Sequence, residues 1–289
     1  MFRGTITALA TPFRNGSVDY PALEKLVGFQ LEKGIDGLLA CGCTGEAATL
    51  SVEERLGVVE KVLEIAGGRV PVIAGTGTND TATSIDLSLA VSKLGVDGLL
   101  LITPYYNKPT PDGQVEHFSR VADAVDRPVI VYNVPGRTGV GILPETVARL
   151  AEHPGIVAIK DAAGSAERVS AIRSLCDMTI LSGDDPIALA QVALGAEGVI
   201  SVVSNIAPGE MSSMMELAMK GDSEEARKIQ DRLYPLMKAL FLETNPIPVK
   251  KALEIMGICT SEVRLPLLAM SGELVPRLEA AMERAGLAG

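Results

Sequence analysis

The sequence predicts a (β/α)8 TIM barrel, an α/β fold, followed by a C-terminal helical appendix. Short β-branched runs alternate with amphipathic helical stretches of about a dozen residues, the signature of parallel βα units. Eight such runs precede Gly221. One joint also recurs: "GIDGLLA" at Gly34, "GVDGLLL" at Gly95 and "GAEGVIS" at Gly195 each follow a helical pattern and lead into a strand. In each, the first glycine suits the left-handed position that ends a helix, and the second opens the next strand.

In chain order the expected strands are "GTITALA" from Gly4, "GLLACG" from Gly37, "PVIAGTG" from Pro71, "GLLLITP" from Gly98, "PVIVYNVP" from Pro128, "IVAIKDA" from Ile156, "TILSGDD" from Thr179 and "GVISVVS" from Gly198. Helix starts agree with this division. "SVEE" at Ser51 matches a capping box with Glu54, and "SAER" at Ser165 offers a second serine cap. A doubly wound open sheet competes for the same pattern, but no G-x-G-x-x-G follows the first strand. Beyond about residue 222 the strand pattern stops. "SEEARKIQDRLYPLMKALFLE", "PVKKALEIMG" and the segment from Ser271 read as helices, so the expected division is a catalytic barrel over 1–221 and an appendix over 222–289.

Bulk properties narrow the function classes. With 289 residues and 47% hydrophobic content the chain can bury a large core. The formal charge of −10, from 26 basic and 36 acidic residues, repels phosphate backbones and no basic tract offsets it, so nucleic acid is not an expected partner. "MFRGTITALATPF" is broken by Gly4 and Pro12 and lacks the apolar core of a signal peptide. No apolar run is long enough for a bilayer span, so no membrane partner is expected. Cys41 and Cys43 read as neighbours on one strand, while Cys176 and Cys259 are isolated. That is neither a disulfide framework nor zinc spacing, and it fits a reducing cytoplasm. The only histidines, His117 and His153, fall in helical patterns, which argues against a histidine-based metal site or a Ser/His/Asp triad.

In such barrels chemistry gathers at the C-terminal rim of the strands. The second strand ends in "GCTGE" (Gly42 to Glu46), the fourth in "TPYYN" (Thr103 to Asn107), the fifth in "YNVPGRTG" (Tyr132 to Gly139), the sixth in Lys160 and the seventh in "SGDD" (Ser182 to Asp185). Two readings of Lys160 stand at this point. Its ammonium can snorkel into water at the strand's end, or it can be enclosed. Side chains alternate, so Ala158 shares its face and leaves room beneath it, while Ile159 and Asp161 point the other way. Enclosure lowers an amine's pKa and makes it a nucleophile for carbonyl carbon. With no histidine at hand, the proton would move through a hydroxyl, and Tyr132 is the nearest candidate, one strand away.

"GCTGEAATL", "TPYYNKPT", "YNVPGRTG" and "AIKDAAG", in this order and at these separations, resemble the pyruvate-dependent class I aldolase superfamily, which includes N-acetylneuraminate lyase, and within it the dihydrodipicolinate synthase family. The likeness runs from "MFRGTITALATPF" through "NPIPVKKAL" into "RLPL". It implies a lyase without metal or organic cofactor, in which Lys160 forms a Schiff base with pyruvate and condenses it with L-aspartate 4-semialdehyde in lysine and diaminopimelate biosynthesis. By the same resemblance Tyr132 would shuttle protons, and Tyr106 would complete the relay from a neighbouring subunit of a homo-oligomer, expected to be a tetramer. Thr44 and its loop amides would hold the pyruvate carboxylate, with Gly183 and the main chain at Ile200 lining the pocket. Arg137 would receive the carboxylate of the aldehyde substrate, a task suited to a guanidinium fork.

Two departures from the family pattern carry expectations. The loop position that usually bears a hydroxyl between the two tyrosines holds Cys43, a weak donor and acceptor. It is either a slow relay or a small filler. At the position of a lysine effector pocket Asn79 and Tyr105 match, whereas Val52, Arg55 and Thr83 do not, so weak or absent lysine inhibition is expected. Two rival functions remain open at this level: a related aldolase acting on sialic acid or a sugar-acid aldehyde, against which "GRTG" and "PYYN" argue, and a barrel that has lost catalysis, an idea invited only by Cys43.

Overall fold

The structure is a computed structural model and describes residues 2–287. Eight parallel strands close into a barrel: β1 (Gly4–Ala8), β2 (Gly37–Ala40), β3 (Val72–Gly75), β4 (Gly98–Ile102), β5 (Val129–Asn133), β6 (Ile156–Asp161), β7 (Thr179–Ser182) and β8 (Gly198–Ser201). Each strand pairs with its sequence neighbours, and β1 closes the ring against β8, with Ile6 opposite Ile200. All eight sequence-expected strands are present. The three recurring joints are as expected too: Gly34, Gly95 and Gly195 have φ of 77°, 93° and 106°, and Gly37, Gly98 and Gly198 each open a strand.

Alternation divides the apolar residues into two layers. Ile6, Leu39, Ile73, Leu100, Ile130, Ala158, Leu181 and Ile200 fill the barrel interior. Ile159, Val131, Leu99 and Ile180 face outward into the larger layer beneath the helices. Burying each large aliphatic side chain contributes about 1.5–3 kcal/mol, which offsets the cost of the polar groups enclosed at the rim above it. Five of the helices begin at a side-chain cap, supplied by Asp19, Ser51, Asp80, Thr110 and Asp222. Ser51 forms the full capping box with Glu54 at the start of α2 (Val52–Ala66), which follows α1 (Tyr20–Glu32).

Three local expectations are corrected. Ser165 does not cap a helix: the next helix starts at Glu167 behind Ala166, and the Ser165 carbonyl instead accepts from Gln191 Nε2 at 3.2 Å. His153 lies past the end of the helix Pro144–Ala151, where its ring pairs with Asp123. Cys41 and Cys43 do not share a strand. β2 ends at Ala40, and Cys41 turns the chain with φ 54°, its carbonyl seated where any side chain at position 75 would collide with it. A short antiparallel hairpin, Phe13–Arg14 with Ser17–Val18, was not expected.

Past the barrel the helices Ser223–Ala239 and Val275–Ala285 pack on each other, and Ile247–Ile255 turns back toward the barrel. Among the described residues no helix is long and apolar enough to cross a membrane.

Candidate active site

Lys160 is 6% exposed, so its ammonium does not reach bulk water. Its position depends on a break in strand pairing. Between β5 and β6 the register runs Val129–Ile156 and then Ile130–Ala158, which leaves Val157 without a partner. Such a slip is a bulge, and bulges re-aim side chains. Without it Tyr132 would lie opposite Ile159; with it Tyr132 lies opposite Lys160, both facing the interior. The Lys160 Nζ stands 4.2 Å from the centroid of the Tyr132 ring. Gly183 is glycine for reasons of space, since a Cβ there would come within 3.0 Å of Lys160 Cε and 2.7 Å of Ala162 Cβ. Ile200 is fully buried in the interior layer.

Burial drives the electrostatics of this pair. Desolvation lowers the Lys160 pKa from 10.5 to about 8, against opposing pulls from Cys43, Asp185 and Asp184 and a smaller push from Arg137. Desolvation likewise holds the Tyr132 phenol well above its ordinary value, and Cys43 adds to that effect. Tyr132 therefore keeps its proton at neutral pH and can donate it, while Lys160 gives up its proton far more readily than an ordinary lysine. Asp185 is fully buried; its Oδ2 accepts from the main-chain N–H of Val202 (2.9 Å) and Val203 (3.0 Å), and burial raises its pKa. Cys41, by contrast, is chemically silent, because burial raises its thiol to about 12.

A cavity of about 270 Å³ opens beside the pair, with Cys43, Glu46, Tyr105, Tyr132, Arg137 and Asn245 in its wall. Lys160 and Thr44 are not wall residues. Lys160 adjoins the cavity through the Tyr132 ring, and Thr44, 3% exposed, adjoins it through Asn245. The loop between Cys41 and Glu46 is bent by left-handed backbone at both ends (φ 54° and 52°) and braced by Gly45 N–H to Gly42 O at 3.1 Å and Glu46 N–H to Cys43 O at 3.1 Å. Arg137 sits on the short turn Pro135–Thr138 after β5, and its guanidinium donates to the Asn245 carbonyl at 3.0 Å.

Of the residues singled out in the sequence, Lys160, Tyr132, Cys43, Thr44, Gly183, Ile200 and Arg137 gather at this one end of the barrel. Tyr106 does not. It is 89% exposed with φ 71° and is not among the residues of the cavity wall.

Sequence reasoning missed Asn245 and a buried ion pair. The Lys250 Nζ lies 2.6 Å from Glu46 Oε1 and 4.1 Å from the Phe13 ring centroid, with both charged side chains at most 2% exposed. Glu46 Oε2 accepts from the Arg264 main-chain N–H at 3.0 Å. The one signal in the sequence is Lys250 itself, a charge on the face of a helix that otherwise buries Val249, Ala252 and Leu253.

The model of the Dihydrodipicolinate synthetase family matches residues 1–285. The chain belongs to this family. A family relative from Pelobacter propionicus, named 4-hydroxy-tetrahydrodipicolinate synthase, is 50% identical, the match covering 99% of this chain and all of that one. Among solved family structures, a chloride-inhibited dihydrodipicolinate synthase from Acinetobacter baumannii complexed with pyruvate is 44% identical with a TM-score of 0.97, covering 99% of this chain and 100% of that chain. A structure described as the first monomeric dihydrodipicolinate synthase variant is 43% identical with the same TM-score, covering 99% and 97%.

Proposed function

We propose that this enzyme condenses pyruvate with L-aspartate 4-semialdehyde to 4-hydroxy-tetrahydrodipicolinate, through a Schiff base on Lys160. The observation that carries the reading is an enclosed amine with pKa about 8 set directly across from a buried phenol. The neutral Nζ adds to the keto carbon of pyruvate, the carbonyl oxygen leaves as water, and an iminium forms. Loss of a methyl proton gives an enamine, with the iminium nitrogen as electron sink, so the family chemistry calls on no separate cofactor. The enamine carbon attacks the aldehyde carbon, whose oxygen takes up a proton. The amino group of the second substrate then adds to the iminium carbon, closes the ring and expels Lys160 as the free amine.

Tyr132 is the group best placed to deliver and retrieve these protons, given its protonated state and its register with Lys160. Thr44 and the amides of its loop would hold the pyruvate carboxylate. In support, the main-chain N–H groups of Cys43 and Thr44 find no acceptor among the described residues, a local arrangement suited to an anion. Gly183 and the main chain at Ile200 would line the same pocket, and Arg137, in the cavity wall, would bind the carboxylate of the aldehyde. Tyr106 would serve the site of a second copy in a homotetramer; its exposure and its left-handed backbone, a conformation that costs an aromatic residue about 1 kcal/mol or more, favour a task outside its own chain. The proposed division of labour places the covalent and proton-transfer steps in 1–221 and makes 222–289 a helical appendix that adds Asn245 to the cavity wall. A panel of aldehydes assayed with pyruvate tests the reading: L-aspartate 4-semialdehyde is expected to turn over fastest, and faster turnover of a sugar-acid aldehyde or N-acetylmannosamine would overturn it.

Cys43 borders both Lys160 and Tyr132, which its charge would perturb. As a relay element a thiol is poorer than a hydroxyl, so Cys43→Thr is expected to raise kcat severalfold. An unchanged or lower kcat would assign Cys43 to packing alone. For lysine feedback, Thr83 is engaged with Asp80 and the Arg55 guanidinium with the Ala47 carbonyl. Lysine at millimolar concentration is expected to leave the rate within about twofold; strong inhibition in that range would refute this.

A further inference from the structure

Asn245 links the C-terminal segment to the loop that carries Thr44. It is 4% exposed and is one of the residues of the cavity wall. Its Nδ2 donates to Thr44 Oγ1 at 2.9 Å, while its Oδ1 is buried with no partner among the described residues. Thr44 Oγ1 has no other side-chain or main-chain partner there. A hydroxyl carries one proton and can accept at its lone pairs. Because Asn245 fills an acceptor position, the Thr44 proton is turned away from Asn245 and has no acceptor among the described residues. A buried hydroxyl proton without an acceptor is costly unless a ligand supplies one. The opposite amide orientation would direct that proton back to Asn245 Oδ1 and leave nothing for a substrate.

We infer that Asn245 is a positioning residue for pyruvate: its amide fixes Thr44 Oγ1 as an acceptor and so aims the Thr44 hydroxyl proton at the substrate carboxylate. This rests on the reading of Thr44 as a carboxylate ligand. It assigns part of substrate recognition to the C-terminal segment, 201 residues away in sequence from the loop it orients. The Asn245 main-chain carbonyl, which receives Arg137, is independent of the side chain. A side-chain substitution therefore separates the two substrates.

Steady-state kinetics with both substrates varied, on Asn245→Ala, Asn245→Asp, Thr44→Val and the double variant Asn245→Ala/Thr44→Val, tests this. Asn245→Ala is expected to raise KM for pyruvate about tenfold, as for loss of one hydrogen bond to a charged group, with KM for the aldehyde within about twofold. Asn245→Asp keeps the size but accepts the Thr44 proton and adds a negative charge, so it is expected to raise KM for pyruvate further, with partial recovery at lower pH as the new carboxyl regains a proton. The double variant is expected to be no worse than Thr44→Val alone. Should Asn245→Ala fail to fold, the isosteric Asp variant carries the same test. An unchanged KM for pyruvate in a folded variant, equal losses for both substrates, or multiplying effects in the double variant would each overturn the inference. Borohydride trapping of pyruvate on the unaltered enzyme keeps the two levels apart. Trapping with an unchanged KM in Asn245→Ala sinks only the role of Asn245, whereas no trapping removes the Schiff-base reading itself.

Discussion

Lys160→Met is expected to lower kcat/KM for pyruvate by about 10³-fold or more, because no other step can replace the covalent one, and yet to leave a more stable protein. The two effects have the same origin. Enclosure disfavours the ammonium, which brings the pKa from 10.5 to about 8. At pH 7 roughly a tenth of the amines are then neutral, against about one in three thousand for an unperturbed lysine. The same shift opposes folding by about 3 kcal/mol at neutral pH, where folded and unfolded chains both carry the charge. The sign follows from proton counting. Between about 8 and 10.5 the unfolded chain binds more protons than the folded one, so stability rises with pH through that window and the penalty is gone above it. Lys160→Met removes the penalty, so its unfolding free energy should exceed that of the parent at pH 7 and converge with it near pH 10.5. The rate of Schiff-base formation should rise with pH and level off above about 8. Denaturant unfolding at both pH values, together with the pH profile of capture, checks this; a variant both inactive and less stable would show that Lys160 supports the fold instead.

Lys250→Met is expected to cost about 3–5 kcal/mol of stability, the usual result of stranding one partner of a buried pair. Glu46 would keep only the Arg264 N–H as a partner, inside a site with both side chains almost fully enclosed. Replacing both, Glu46→Gln with Lys250→Met, should recover much of that loss, since a neutral pair leaves no buried charge. The consequence reaches the site as well. Glu46 holds left-handed backbone at the end of the Thr44 loop, and strained backbone persists only where its surroundings hold it. The single variant should therefore also weaken pyruvate binding. Urea titration of the two singles and the double resolves the coupling; additive losses would show that the pair is not an energetic unit.

The fold was legible because its signals are local. Glycines at 34, 95 and 195 mark the joints wherever a side chain would resist positive φ, and the β-branched runs begin within a residue of the strands and end within three residues of them. Lys160 was legible for the same reason, as a charge out of place at the end of an apolar strand. What escaped was non-local. The unpaired Val157 that brings Tyr132 opposite Lys160 is a property of two strands together, and neither strand alone encodes it. Asn245 and Lys250 meet Thr44 and Glu46 across more than two hundred residues. Cys41 read as strand because a thiol is small and apolar, although its backbone turns there. Ser165 read as a cap because the sequence does not show that the helix begins one residue later, behind Ala166.

The most direct measurement is borohydride reduction of the enzyme with pyruvate, followed by intact-mass and peptide mass spectrometry. The expected product carries one pyruvic acid less one oxygen per chain, located on Lys160 and missing from Lys160→Met. Adduct on another lysine, or none at all in an enzyme that still turns over, would contradict a covalent mechanism at this residue.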